Sequence, residues 1–347
     1  MEVRRTLPYS PCDTNSEMKE TVSNADYRDR SLILAVIGIL LLSVGTVAAF
    51  LGPAEMYCFY LFSEGGRFHY EGFGFGSFMF GNIACQIVGY YLIAALFIPL
   101  GYGHLKVRRW AKTLSLTSLW FWLVVGVPLI VVFFFILAGS KDLSLAAALI
   151  AVVFLGLSYL VFPGLLIRFY RSRNVKRTFE TKDAKSYWIE DLPIPILVLC
   201  SLYLFYIVVL HLLILFNGMF PVFGVFLFGF QGILLLDISI ACWVCLIWGT
   251  LRLRMWAWWG SVVYSSFITF STIITLFKSS YSTILSGLEF PPREIEFLGG
   301  LPVQGYHFAV LVGIPLLITL GLTIHSKRYF KGYYSAAVIP SDRKSLS

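Results

Sequence analysis

From Leu32 to Leu51 the chain runs twenty residues without a charged side chain, and seven further apolar runs follow along its 347 residues. The eight runs cover about 31–51, 75–100, 114–137, 145–167, 193–216, 222–248, 258–277 and 307–324, and only the sixth holds a carboxylate, Asp237. About 20 helical residues cross the hydrocarbon core of a bilayer. Only 13% of the chain is charged, against about 25% in a soluble domain. A β-barrel would alternate apolar and polar residues in segments of about ten, whereas these runs are apolar on every side. The sequence therefore predicts an all-α polytopic integral membrane protein with eight transmembrane helices. The first run, ended by Gly52-Pro53, is too long for a signal-peptide core and reads as an uncleaved anchor. The aromatic segment after it, including Tyr57, Tyr60 and Phe62, reads as a piece lying in the membrane interface.

Positive charge sorts by side. With the N-terminus placed inside, the inner segments hold 23 of the 27 Lys and Arg; Arg67, Lys141, Lys278 and Arg293 lie outside. This asymmetry predicts both termini in the cytoplasm. It also accounts for the net charge of +8 without nucleic acid, for which no base-reading module is present. The densest basic stretch, 168–191, is a linker that could gather anionic lipid. Its Glu180, Asp183, Glu190 and Asp191 oppose that.

Two stretches echo one another. Phe223-Gly-Val-Phe-Leu-Phe-Gly229 matches Phe75-Gly-Ser-Phe-Met-Phe-Gly81 at five of seven positions, and Gly249-Thr-Leu-Arg-Leu-Arg-Met-Trp-Ala257 matches Gly103-His-Leu-Lys-Val-Arg-Arg-Trp-Ala111 at five of nine. Each copy enters a span through Phe and Gly and leaves it through a basic turn ending in Trp-Ala. The expected organisation is an N-terminal tail (1–30), a four-helix repeat (31–167), the linker (168–191), a second four-helix repeat (192–325) and a C-terminal tail (326–347). Four helices is an even number, so the repeats share one orientation.

Asp237 is the most demanding residue. A charge at the bilayer centre costs about 2.5–3.5 kcal/mol, so it is expected to face the bundle interior beside a partner. Candidate partners are Gln231, His211, Asn82 and Gln86, the last two one helical turn apart. The seventh run carries Ser261, Ser265, Thr269, Thr272 and Thr275 at spacings that share one helical face; such a stripe glues helices together or walls a wet path. Arg108, Arg109 and Trp110, and likewise Arg252, Arg254 and Trp256, are expected to anchor their helices and contact lipid phosphates. Cys242-Trp-Val-Cys245 has metal-ligand spacing but no second pair and no nearby His. No nucleotide loop, zinc-protease motif or nucleophile elbow occurs, so neither metal nor cofactor is expected.

The strings Arg108-Arg109-Trp110-Ala111, Trp120-Phe121-Trp122-Leu123-Val124 and Phe169-Tyr170-Arg171-Ser172-Arg173-Asn174-Val175-Lys176, followed by Leu192-Pro193-Ile194-Pro195, resemble those of uncharacterised bacterial multi-pass membrane proteins. The resemblance runs from about the second to the fifth helix. It implies a prokaryotic inner (plasma) membrane and assigns no residue a role. The first functional expectation is binding or movement of a small or lipid-like solute at the repeat interface around Asp237. The second is a non-catalytic subunit that assembles with a membrane protein partner. The third is an enzyme acting on a lipid-linked substrate through Glu55, Glu64, His69 or Glu71.

Overall fold

The structure is a computed structural model that describes residues 27–70, 74, 76–139, 145–300 and 303–330. Cys12, Glu71, Phe75, Lys141 and the tail from 331 onward lie outside it. Eight helices are long and apolar enough to cross a membrane, which makes this a multi-pass membrane protein.

The first half comprises α1 (Ser31–Phe62), α2 (Phe78–Leu105), α3 (Arg109–Gly139) and a broken span. That span runs as α4 (Leu145–Gly156), a π turn (Leu157–Val161) and α5 (Phe162–Arg171). The π turn precedes Pro163, where an extra residue per turn spares the donor that proline lacks. The second half comprises α7 (Ile194–Ile214), α8 (Gly229–Leu251), α9 (Met255–Lys278) and α12 (Gly305–His325). Between the halves lies α6 (Arg173–Lys182).

Three expectations are corrected. First, Gly52-Pro53 does not end α1, which continues to Phe62 for 32 residues. That is about 48 Å, well beyond a core of about 30 Å. The predicted interface segment is thus the last turns of a helix. Proline removes one backbone donor, a loss that helices in lipid tolerate when neighbours pack closely. Here Gly52 lies directly under the Tyr91 ring.

Second, the linker, read from sequence only as a basic divider between the halves, folds as a helix onto the first half. Ser172 caps α6 through the Val175 N–H, and Val175, Thr178 and Phe179 are buried against the base of the first half. Tyr27 Oη meets Thr181 Oγ1 at 3.0 Å, and the Arg30 N–H donates to Thr178 Oγ1 at 3.1 Å. The end of the bundle that carries α6, the turns at 106–108 and 252–254, and Lys327 is called the basic end below.

Third, the sixth span starts late. Residues 220–227 form a β-hairpin, β1 (Phe220–Val222) against β2 (Val225–Leu227), with Pro221 facing Phe226. Phe223 and Gly224 turn it with φ of 37° and 106°. Two hydroxyls of α9 hold that turn: Ser271 Oγ accepts the Phe223 N–H at 3.0 Å and donates to the Pro221 carbonyl at 2.9 Å, and Thr275 Oγ1 accepts the Gly224 N–H at 2.8 Å. The Phe-Gly echo therefore does not carry over into structure. In the first copy the matching residues from Phe78 onward are already helical.

The closing echo does carry over. Val107 and Leu253 both take positive φ, 49° and 51°. The Arg108 N–H returns to the Gly103 carbonyl at 2.7 Å, and the Arg254 N–H to the Gly249 carbonyl at 3.0 Å. Each glycine lies beneath its Trp-Ala pair, Gly103 under Trp110 and Ala111, Gly249 under Trp256 and Ala257. The halves meet mainly through α3, which packs on α7 and α12, with a smaller contact of α2 on α7.

Glycines seat α1 on α2. Gly38, Gly45 and Gly52 recur every seven residues and face Gly101 and His104, Ile98, and Tyr91 in turn. The opposite face of α1, including Leu32, Leu40 and Phe50, is exposed, as a lipid-facing surface is.

Candidate functional site

The second half is organised around Trp243 of α8, which is 2% exposed. Three tyrosines surround its indole: Tyr203 and Tyr206 of α7 at ring distances of 4.6 and 5.5 Å, and Tyr264 of α9 at 5.0 Å. Two of the three hydroxyls are used within the bundle. On α12, Thr319 Oγ1 donates to the Pro315 carbonyl and Thr323 Oγ1 to the Thr319 carbonyl, each at 2.8 Å. Their protons are thereby committed, so Tyr206 Oη donates to Thr319 Oγ1 at 2.6 Å and Tyr203 Oη to Thr323 Oγ1 at 3.2 Å. The Trp258 indole N–H adds a bond to the Thr323 carbonyl at 2.8 Å.

Tyr264 differs. Its hydroxyl oxygen is buried without a partner at full hydrogen-bond geometry; the polar group that faces it is the buried Ser239 hydroxyl of α8. Both residues line a cavity of about 370 Å³ together with Val125, Phe205, Leu213, Ile268 and Leu316. A second lobe of about 320 Å³ continues toward the hairpin end. The lobes share Val209, Leu213, Pro221, Thr272 and Val312. Two short helices, α10 (Tyr281–Gly287) and α11 (Pro292–Gly299), roof the second lobe through Tyr281, Leu285 and Leu298. The walls are almost wholly apolar, with Ser239, Tyr264 and Thr272 as the polar exceptions in the inner lobe besides the committed Tyr206.

The predicted polar centre is elsewhere. Asp237 is exposed on the outer face of α8, with Leu234, Ile238 and Val244. Leu236, Ser239 and Trp243 form the inner face. This corrects the expectation that the carboxylate faces the bundle interior. Gln231, His211 and Asn82 are exposed as well, and Gln86 is half-buried. His211 Nδ1 bonds its own helix at the Ile207 carbonyl, 2.7 Å away. None of these five residues lines the chamber.

The hydroxyl stripe of α9 is buried as a face. Thr272 lines both lobes, and Thr275 holds the hairpin turn. Ser261 and Ser265 lie beside Tyr203, and Thr269 is also fully buried.

Of the expected phosphate anchors, Arg108 and Arg109 are engaged within the protein. Arg108 Nη1 lies 3.3 Å from Asp183, and Arg109 Nη2 lies 2.8 Å from Glu190. The buried Asp183 carboxylate also accepts the N–H groups of Arg109 and Lys185. Arg252 and Arg254 remain exposed.

Sequence reasoning passed over several residues that the structure brings forward. His104 is fully buried; its Nδ1 bonds the Leu100 carbonyl at 2.7 Å and its Nε2 accepts from Tyr170 Oη at 2.6 Å. Both nitrogens are satisfied, which makes the ring a structural group. Glu294 of α11 caps α2 from the opposite half, accepting the Phe78 N–H at 2.6 Å and the Met79 N–H at 3.2 Å. It borders a flank groove of about 670 Å³ between α1, α2 and α11. That groove is larger than either lobe of the chamber, but its one carboxylate is already committed to the cap. Glu55 sits on α1, and Glu64 and His69 follow in the exposed segment. Among the described residues no three His, Cys, Asp or Glu side chains could share a metal ion.

Comparison with protein-family models, curated proteins and solved structures found no match for the chain.

Proposed function

We propose that the protein binds a lipid-like molecule, a long apolar body with a single hydroxyl or carbonyl, in the chamber between α7, α8, α9 and α12. The observation that carries this reading is the Tyr264 hydroxyl, buried without a well-formed hydrogen bond beside Ser239 on the wall of an almost wholly apolar cavity. Leaving a buried donor unmade costs about 1–3 kcal/mol, and a ligand oxygen would remove that cost. Clefts of a few hundred Å³ with apolar walls and one or two placed polar groups are the usual form of small-molecule sites. In this reading the basic end is cytoplasmic, since Lys and Arg are retained on that side, and the two halves are parallel copies of one four-span module.

The test is saturable binding of radiolabelled farnesol to protein in nanodiscs. Ser239→Phe, which fills the inner lobe, is expected to abolish it, and Tyr264→Phe to weaken it about fivefold, the worth of one hydrogen bond. Partitioning that is non-saturable and equal in all variants would overturn the reading.

A second reading, a subunit that assembles with another membrane protein, draws on the exposed Asp237, since a carboxyl facing lipid calls for a covering partner. A protein that stays monodisperse and monomeric in native membranes argues against it.

A further inference from the structure

The two basic turns have the same backbone and different surroundings. In the first, linker acids neutralise the cations: Asp183 holds Arg108 and Glu190 holds Arg109. Among the described residues nothing equivalent covers the second. Residues 249–258 contain no acid. Among the described residues no carboxylate lies within ion-pair distance of Arg252, Arg254 or Lys327. Asp191, which precedes α7, pairs with none of them.

These cations sit among indoles. The Arg252 guanidinium lies over the Trp248 ring at 4.3 Å, and Lys327 Nζ lies 4.7 Å from Trp258 and 5.5 Å from Trp259. Trp248 and Trp256 stand 6.2 Å apart. One apolar cluster joins the turn to the end of α12, through Leu251, Leu253 and Met255 on one side and Tyr329 and Phe330 on the other. Arg252, Arg254 and Lys327 therefore border one region of the basic end. Trp248, Trp256 and Trp259 remain 52%, 49% and 54% exposed, too open for core residues and suited to the boundary between headgroups and chains.

We propose that this region binds the headgroup of an anionic phospholipid. Its phosphate is held by Arg252 and Arg254, Lys327 strengthens the positive field that draws it, and its chains lie along the exposed Val244 and Trp248 face of α8. Guanidinium pairs match phosphate oxygens bidentately. Indoles at this level hold the glycerol and upper chain while leaving the charge to the cations. Each basic residue beside an anionic lipid surface is worth about a fivefold preference. The matching first turn is not the site, because linker acids and α6 already occupy it.

The test is native mass spectrometry of the full chain from detergent, titrated with dioleoyl phosphatidylglycerol and, separately, with dioleoyl phosphatidylcholine. Retention of phosphatidylglycerol at least tenfold above phosphatidylcholine is expected. Arg252→Gln with Arg254→Gln is expected to erase that preference, and Lys327→Gln alone, at a half-buried position on another segment, to lower it about fivefold. Equal retention of both lipids, or an unchanged preference in the Lys327→Gln and double variants, overturns the proposal. Displacement of phosphatidylglycerol by millimolar inorganic phosphate also overturns it, since the ligand would then be a free anion.

Discussion

Glu294 and Phe78 are 216 residues apart in sequence, and the carboxylate of one accepts the backbone N–H of the other at 2.6 Å. A roof helix of the second half thus caps the first turn of a span in the first half. The two are also joined by ring contact, Phe78 against Phe290 at 5.9 Å. Anions at a helix N-terminus satisfy donors that the helix cannot. Glu294→Ala is expected to lower stability by about 1–2 kcal/mol, read as a fall in the thermal midpoint in detergent. Glu294→Gln keeps one acceptor and is expected to lose about half as much. An unchanged midpoint in both would mean that the roof and α2 are not coupled through this carboxylate.

The Asp183 clamp is sensitive to pH. Burial pushes its carboxyl up, but the Arg109 and Lys185 N–H groups and the Arg108 charge outweigh that and hold it below the ordinary value of 3.8. The folded protein therefore favours the ionised form. Its contribution is complete above 3.8 and is lost as pH falls through the lower, folded value. Asp183→Asn removes the contribution at every pH, at a cost of about 1–3 kcal/mol. The gap in thermal midpoint between wild type and variant is expected to be constant from roughly pH 5 upward and to close toward pH 3. A gap that widens on acidification contradicts the clamp.

Gly45 and Gly101 set the approach of α1 to α2. A Cβ on Gly101 would stand 2.8 Å from the Gly38 carbonyl and from the Leu42 N–H, both backbone. A Cβ on Gly45 would meet the Ile98 side chain at 2.9 Å and the Ile98 backbone nitrogen at 3.0 Å. Backbone cannot rotate away as a side chain can, and Gly101 faces two backbone atoms at the shorter distance, so the bulkier Gly101→Val is expected to separate the helices and to cost more than Gly45→Ala, with overpacking in the range of about 1–3 kcal/mol. The measurement is the rate of disulfide formation between cysteines placed at Ala48 and Ala94, both buried in the wild type. It should fall sharply with Gly101→Val and little with Gly45→Ala.

The spans were legible because length and missing charge are large signals that no packing can counterfeit. Their ends were not. Pro53 reads as a stop, yet α1 passes through it; Val222 reads as helix, yet it pairs with Val225 across a hairpin. Helix α8 gives the clearest reason why the site was hidden. In water an apolar stripe marks the inside, but in lipid both faces are apolar, so periodicity could not tell the Asp237 side from the Ser239 side. A lone carboxylate drew attention that a serine two residues on did not. Asp183 and Glu190 were read as diluting a basic linker, when they bind the turn that the linker folds against.

Asp237 offers the sharpest separation between the sequence expectation and the structure. Were it the polar centre of a solute site, Asp237→Leu would abolish binding. Placed on the outer face of α8, it contributes no wall to the chamber, so Asp237→Leu and Asp237→Asn are both expected to leave farnesol binding within about twofold of wild type. An isolated carboxylate among Leu234, Ile238 and Val244 also carries the insertion cost of about 2.5–3.5 kcal/mol. Asp237→Leu is therefore expected to raise the yield of inserted, detergent-stable protein when the chain is expressed alone. If the leucine variant instead loses stability, the carboxylate has a stabilising partner in the membrane, and the lipid-facing placement of that residue fails with it.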